Sequence, residues 1–448
     1  MADKVSRNKA FRPLKDPGDF YSCTSQHVEK LLGKKAAREI EESVRLGVMS
    51  TSDHHGGLFC SQTFQGDIIF GELIHRLGST GRYVPIHSGG QVELGNATYA
   101  RGFYSYASVD NRQQIPLFPY KDRNRLSSHA EAVTPEMIDA LYRRLNETDE
   151  FSAARDAVKD VCRPMWGDTS VPESGRFADQ TVIAGCELSK RLFKDGNGPI
   201  LTYIELEEVV TPLLKEEIKD PDSLPAHLML DPKMRQYMQQ VTTPEGVPLS
   251  GLLFRNADDK GRKSLLTLTP EGELLGSDWR NKELRYTASA KELCRLLDER
   301  RIFPGLFLMA LILAFERGFT WMGGMFQAQY LPMWQSCLVK LLADCGFKFE
   351  SELFARYQCD GYVCGPMFAE YEGEGFATCA GPLEFHMIRP EWGSVREQML
   401  KTGLWDAHLI GLTEMYFDLV SPREREDGWY EKVSRELYHR FPSNVLQG

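Results

Sequence analysis

Residues 48–57 read VMSTSDHHGG, and the reading of this run decides how the N-terminal part is built. Val48–Ser52 is short and β-like. Upstream, from Ser25 to Leu46, apolar residues at Val28, Leu32, Ala36, Ile40 and Val44 recur every four positions, which places them on one stripe of an amphipathic helix; Gly47 can close it. Downstream, a second helical pattern runs from about Ser61 to Leu77, with Phe64, Ile68, Leu73, Ile74 and Leu77 inward. Arg82–His87 (RYVPIH) is the next strand candidate and ends in Ser88-Gly89-Gly90. Helix, strand, helix, strand in that order predicts an α/β unit with parallel strands.

The rest of the chain divides around two breaks. Residues 110–130 are polar, proline-containing and basic, so they read as a surface loop before a helix from Pro135 to Leu145. Residues 162–176 (CRPMWGDTSVPESGR) lack periodicity and mark a boundary. Helical patterns follow at Ala178–Phe193 and Ile204–Ile218, then two strands around a charged turn within Gly251–Leu275 and a further turn at Pro270–Gly272. From Ser289 onward helices dominate: Lys291–Arg300, Phe307–Glu316 and Leu331–Cys345. The expected fold class is α/β, with an N-terminal domain (1–165) holding a mainly parallel sheet flanked by helices, a mixed region (166–285) and a helix-rich C-terminal region (286–448).

Composition narrows the function classes. A chain of 448 residues, 42% hydrophobic and 26% charged, is long enough for two or three domains, or one large core with appendages, because single cores seldom grow past about 250–300 residues. The formal charge of -10 argues against a nucleic-acid partner, which needs clustered Lys and Arg. The longest apolar run, Gly305–Phe315, falls short of the roughly 20 residues that cross a bilayer, so no membrane partner is expected. The N-terminus carries no apolar signal stretch, and the ten cysteines are scattered without a CxxC pair, which reads as reduced thiols. A cytoplasmic protein with a small-molecule substrate is the expectation; the oligomeric state is left open.

If Val48–Ser52 and Val84–His87 are neighbouring parallel strands, DHHGG and HSGG both lie at their carboxyl ends, where open α/β sheets bind ligands. Asp53, His54, His55 and His87 can exchange protons or ligate a metal, and they are the candidate catalytic residues. Gly56, Gly57, Gly89 and Gly90 let backbone amides approach an anionic group, with Ser88, Arg101 and Arg123 as further substrate contacts. Asp53, His55 and His87 form a candidate set for a divalent ion (Zn, Mn or Fe) with an open position for water. The blander reading has Asp53 capping the following helix, with one histidine packed inside and the other solvated.

Other stretches carry less. Glu384 and His386 in GPLEFH would share a face of a strand and could complete a metal site. His75 suits a helix C-terminus, Cys60 reads as a buried thiol beginning a helix, and His408 and Glu414 sit six apart in a helical stretch, on different faces. Gly318–Trp334, dense in Met and aromatics around Gly323-Gly324, can wall a pocket or fill a core. There is no GxSxG, GxxxxGK[ST], HExxH or intact GxGxxG.

DHHGG followed by a helix is similar to the HxGH-type turn of class I aminoacyl-tRNA synthetases and related nucleotidyltransferases, and Lys260–Ser264 (KGRKS) resembles their later KMSKS loop. The sequence departs from that pattern where His55 is followed by Gly56, Gly57 and Leu58, and KGRKS reads as the turn of a hairpin. The function expected from the residues is histidine-based hydrolysis, metal-assisted in its most concrete form, of a small anionic metabolite. The resemblance implies ATP-dependent nucleotidyl transfer or ligation as the alternative, and a non-catalytic binding or scaffold protein is the second.

Overall fold

The computed structural model describes residues 2–9, 11–52, 60–96, 101–108, 112–148, 152, 154–167, 175–373 and 375–446. Asp53, His54, His55, Gly56 and Gly57 lie outside them. Along the chain the strands are β1 Val48–Ser52, β2 Tyr83–Ser88, β3 Gly102–Ser105, β4 Gln113–Pro116, β5 Ile200–Glu205, β6 Phe254–Ala257 and β7 Lys263–Leu268. They continue with β8 Glu273–Ser277, β9 Glu283–Thr287, β10 Ile302–Pro304, β11 Thr320–Gly324, β12 Tyr362–Cys364, β13 Glu370–Gly373 and β14 Phe376–Cys379. A five-stranded parallel sheet has the order β12-β11-β1-β2-β5. The α/β class follows, with separate antiparallel sheets and a helix-rich C-terminal part.

The chain forms two compact units that interleave along the sequence, where the sequence reading had cut it linearly. The first comprises residues 1–51, 89–91 and 205–362; the second comprises 52–88, 92–204 and 363–448. Among the described residues no helix is long and apolar enough to cross a membrane.

In the first unit, the helix expected over Ser25–Leu46 is two helices, Gly18–Leu32 and Lys34–Val44. Gly33 separates them because it sits at φ 83, a left-handed value that only glycine adopts at no steric cost. Its N–H still donates to Glu29 O at 2.9 Å and so closes the first helix. Each helix buries its own apolar stripe, Phe20, Tyr21, Thr24 and Val28 on one and Ala36, Ile40 and Val44 on the other.

Strand β1 forms as expected and pairs in parallel with β11, Val48 opposite Thr320 and Thr51 opposite Gly323. β11 lies within Gly318–Trp334, the stretch read as pocket wall or core. Thr320–Met322 are all buried, and a strand covered on both faces gives a continuous apolar run instead of an alternation. A second sheet of this unit is antiparallel, in the order β10-β6-β7-β8-β9. KGRKS lies in its first hairpin, as the sequence suggested: Lys263 pairs Ala257 and Ser264 pairs Asn256, and the Asp258 carboxylate accepts the Lys260 and Arg262 amides across the turn.

In the second unit, the helix Ser61–Arg76 begins where expected, with buried Cys60 at the cap position. β2 also matches its prediction. The segment 110–130 is not a plain surface loop, because Gln113–Pro116 pairs with β3 and Ile115, Leu117, Phe118 and Leu126 are buried. β5 takes in the first two residues of the helical pattern expected at Ile204–Ile218, and its four preceding residues carry no expectation; all six of its residues are buried, so no period of two marks it. His408 and Glu414 belong to separate helices, Leu404–Ile410 and Leu412–Leu419.

The close pairing of β1 and β11 makes a prediction. A Cβ at Gly323 would stand 2.5 Å from the Thr51 carbonyl and from Gln327 Oε1, whereas one at Gly324 meets no atom within 4 Å. Gly323→Ala should lower unfolding free energy in urea by about 1–3 kcal/mol, the usual cost of overpacking. Gly324→Ala should stay within about 0.5 kcal/mol of the parent. Equal effects from the two would show that the contact does not limit packing.

Candidate functional site

β5 ends at Glu205 and the helix Leu206–Lys219 begins at once, so three acids, Glu205, Glu207 and Glu208, crowd its first turn. The positive end of the helix dipole favours negative charge there. Two of the three are out of water, however: Glu205 is 0% and Glu207 2% exposed. A buried carboxylate is costly unless it is paired and hydrogen-bonded. Glu205 is paired, taking Arg300 Nη2 at 3.1 Å, while Arg300 Nη1 donates to Glu208.

Among the described residues no cation is paired with Glu207. Its Oε2 accepts the Gly90 N–H at 2.7 Å, and Gly90 belongs to HSGG, the loop that follows β2. The next residue, Gln91, donates its side-chain amide to Pro304 O, and Lys263 Nζ reaches the Gln91 carbonyl at 3.4 Å. Burial pushes the Glu207 carboxyl up and the charge of Glu205 adds to it. The Gly90 amide, the helix's own amide and the Gln91 side chain work the other way, and the balance stands at about 7. A carboxyl poised there can both give and take a proton at neutral pH.

The residues expected to form the site are placed as follows. His87 and Ser88 are fully buried at the end of β2. The Gly90 amide donates to the protein's own Glu207 carboxyl. The guanidiniums of Arg101 and Arg123 stand 5.3 and 4.2 Å from the Tyr120 ring centroid. Arg101 also donates to Phe118 O at 2.9 Å and Arg123 to Tyr120 O at 3.4 Å. Asp53, His54, His55, Gly56 and Gly57 are outside the described residues.

Glu384 and His386 require a correction. Pro382–Ile388 is a helix with Pro at its first turn, so residues two apart point to opposite sides instead of sharing a strand face. Glu384 accepts the Tyr106 N–H at 2.8 Å, Ser105 Oγ at 3.1 Å and the Gly381 N–H at 3.0 Å. His386 Nε2 meets Asp160 Oδ2 at 2.7 Å. Burial raises Glu384 to about 7, but its lone pairs are committed to fixing the chain around Tyr106. Among the described residues no three His, Cys, Asp or Glu side chains are grouped to hold a metal; Asp53 and His55 of the expected ion site are not among them.

Sequence reading missed Glu205, Glu207 and Arg300. Two acids in a first helical turn are the ordinary response to the dipole, so LEEVV carries no signal by itself. The preceding run ILTYI was the available clue, since recognising it as a parallel strand puts the acids at a strand's carboxyl end. Searches against protein families, curated proteins and solved structures find no match to this chain.

Because Glu207 holds its proton more tightly folded than unfolded, where 4.5 is the ordinary value, unfolding between those two values releases a proton. Stability therefore falls as pH rises through that window. Glu207→Gln keeps an acceptor for the Gly90 N–H and removes the titration. Between pH 5 and 8 the parent should lose on the order of 2 kcal/mol more than the variant in urea melts. Identical pH dependence would place the Glu207 carboxyl in the usual range.

Proposed function

We propose that the chain is an enzyme acting on a small, anionic metabolite by general acid–base catalysis, with Glu207 as the proton-transfer group. The observation that supports this reading is a carboxyl held near neutrality in the turn after a parallel strand, hydrogen-bonded to the glycine loop that follows another. In α/β folds that edge is where ligands bind. Hydrolysis is the most concrete version. Glu207 as carboxylate takes a proton from water as the water oxygen attacks the substrate, and as carboxylic acid returns it to the leaving group.

The metal-assisted form adds an ion on Asp53, His55 and His87; stoichiometric Zn, Mn or Fe in the purified protein, lost in His87→Ala, is its direct test. A cytoplasmic setting belongs to the same reading. A panel of small phosphate and carboxylate esters and amides supplies the assay. Turnover should show a pH limb near 7, and Glu207→Gln should lower kcat by about 100-fold or more while the variant still folds. Full turnover in Glu207→Gln would overturn the assignment. A protein that turns over nothing, with its histidine and Glu207 variants changing only stability, would be the non-catalytic alternative.

A further inference from the structure

The second unit carries a groove of about 540 Å³ between the helices Leu404–Ile410 and Leu412–Leu419 on one side and Trp429–Arg440 on the other. Its floor is apolar: Leu409, Leu412, Tyr416, Trp429, Val433 and Leu437. Leu437 belongs to a buried cluster with Tyr104, Tyr106, Met367 and Cys379, against which Leu409 and Val433 pack only in part. The apolar strip continues past the groove. Trp405, 73% exposed, is one helical turn before Leu409, and Leu419, 58% exposed, follows Leu412 and Tyr416 at i+7 and i+3. A contiguous exposed apolar surface of this kind marks an interaction site.

The rim charges say what covers it. Glu426, Lys432, Glu436 and Arg440 ring the groove, and among the described residues none of the four has an oppositely charged partner within 4 Å. The outward face of the same helix behaves differently, Arg435 pairing with Glu431 at 2.8 Å. Two cations and two anions left open toward one groove sum to zero, on a chain whose net charge of -10 would otherwise repel its copies. Their order along the helix is also self-complementary. If two copies of Trp429–Arg440 run antiparallel with Lys432 opposite the second copy's Glu436, symmetry repeats that pair, and Arg440 falls opposite residue 428, two residues from Glu426. A two-fold interface requires a patch that complements itself in this way.

We propose that this groove is the interface of a two-fold homodimer, in which the apolar strip of one copy covers the groove of the other and Lys432 and Glu436 pair reciprocally at its rim. The full chain should sediment as a dimer at micromolar concentration in analytical ultracentrifugation. Lys432→Glu sets two like-charged contacts in place of two pairs and should weaken the dimer by about tenfold or more. The double reversal Lys432→Glu with Glu436→Lys should restore it. Lys432 and Glu436 are exposed, so in their variants folding is not at stake; Val433→Arg, at a half-buried position on the groove floor, should give a folded monomer by circular dichroism.

A parent protein that is monomeric at every concentration overturns the proposal. So does a dimer indifferent to Lys432→Glu, which would place the interface elsewhere. A monomer whose groove binds the apolar dye 1-anilinonaphthalene-8-sulfonate, with the signal lost in Val433→Arg, would assign the groove to a small ligand instead.

Discussion

The hydrogen bond from the Gly90 amide to the Glu207 carboxyl is the constraint around which the candidate site is arranged. A carboxylate removed from water loses several kcal/mol of hydration unless a cation compensates it, and among the described residues no cation is paired with Glu207. The Gly90 amide, the helix's own amide and the Gln91 side chain favour the ionised form, but burial and the charge of Glu205 outweigh them. The carboxyl therefore holds its proton to near neutral pH. Glu205, two residues earlier and more deeply buried, has the Arg300 guanidinium at 3.1 Å. Adjacent acids in one turn thus meet two different fates, and the difference is the presence of one guanidinium.

The strand pair β1 and β11 in the same unit is closed by neutral groups. At the carboxyl end of that pair, Thr51 Oγ1 and Gln327 Oε1 lie 2.7 Å apart, and Gln327 Nε2 donates to Trp321 O at 2.9 Å. A neutral amide satisfies a hydroxyl and a carbonyl, and Gly323 leaves just the room this needs. Neither the Thr51 hydroxyl nor the Gln327 amide titrates. Glu207, in the first turn after β5, is by contrast an acid with no paired cation among the described residues, and carboxyls perturbed in this way cluster at functional sites.

The parts of the fold legible in the sequence were those with a visible period or a visible stop. Ser61–Arg76 showed its apolar stripe, β2 ended in glycines, and the β6–β7 hairpin showed its charged turn. β5 and β11 were missed for one reason: both are buried on each face, so ILTYIE and TWMGG lose the alternation that identifies a strand and resemble core helix or pocket lining. Glu384 and His386 were misplaced because Pro382, the natural first residue of a helix, was not weighed against the pattern after it. For the site, the HSGG loop was found from its composition, while its partner was not. The Glu207 carboxyl lies 117 residues away from Gly90, and only the tertiary fold brings the two together.

The account rests on the protonation of one side chain, which infrared difference spectroscopy observes directly. Spectra of the parent minus Glu207→Gln, followed from pH 5 to 9, isolate the carboxylic C=O stretch of Glu207 from the other buried acids. The account predicts a protonated band present at pH 5 that disappears with a midpoint near 7, where the balance of burial, Glu205 and Gly90 places it. A Glu207 already ionised at pH 5, with no band in the difference, would contradict it.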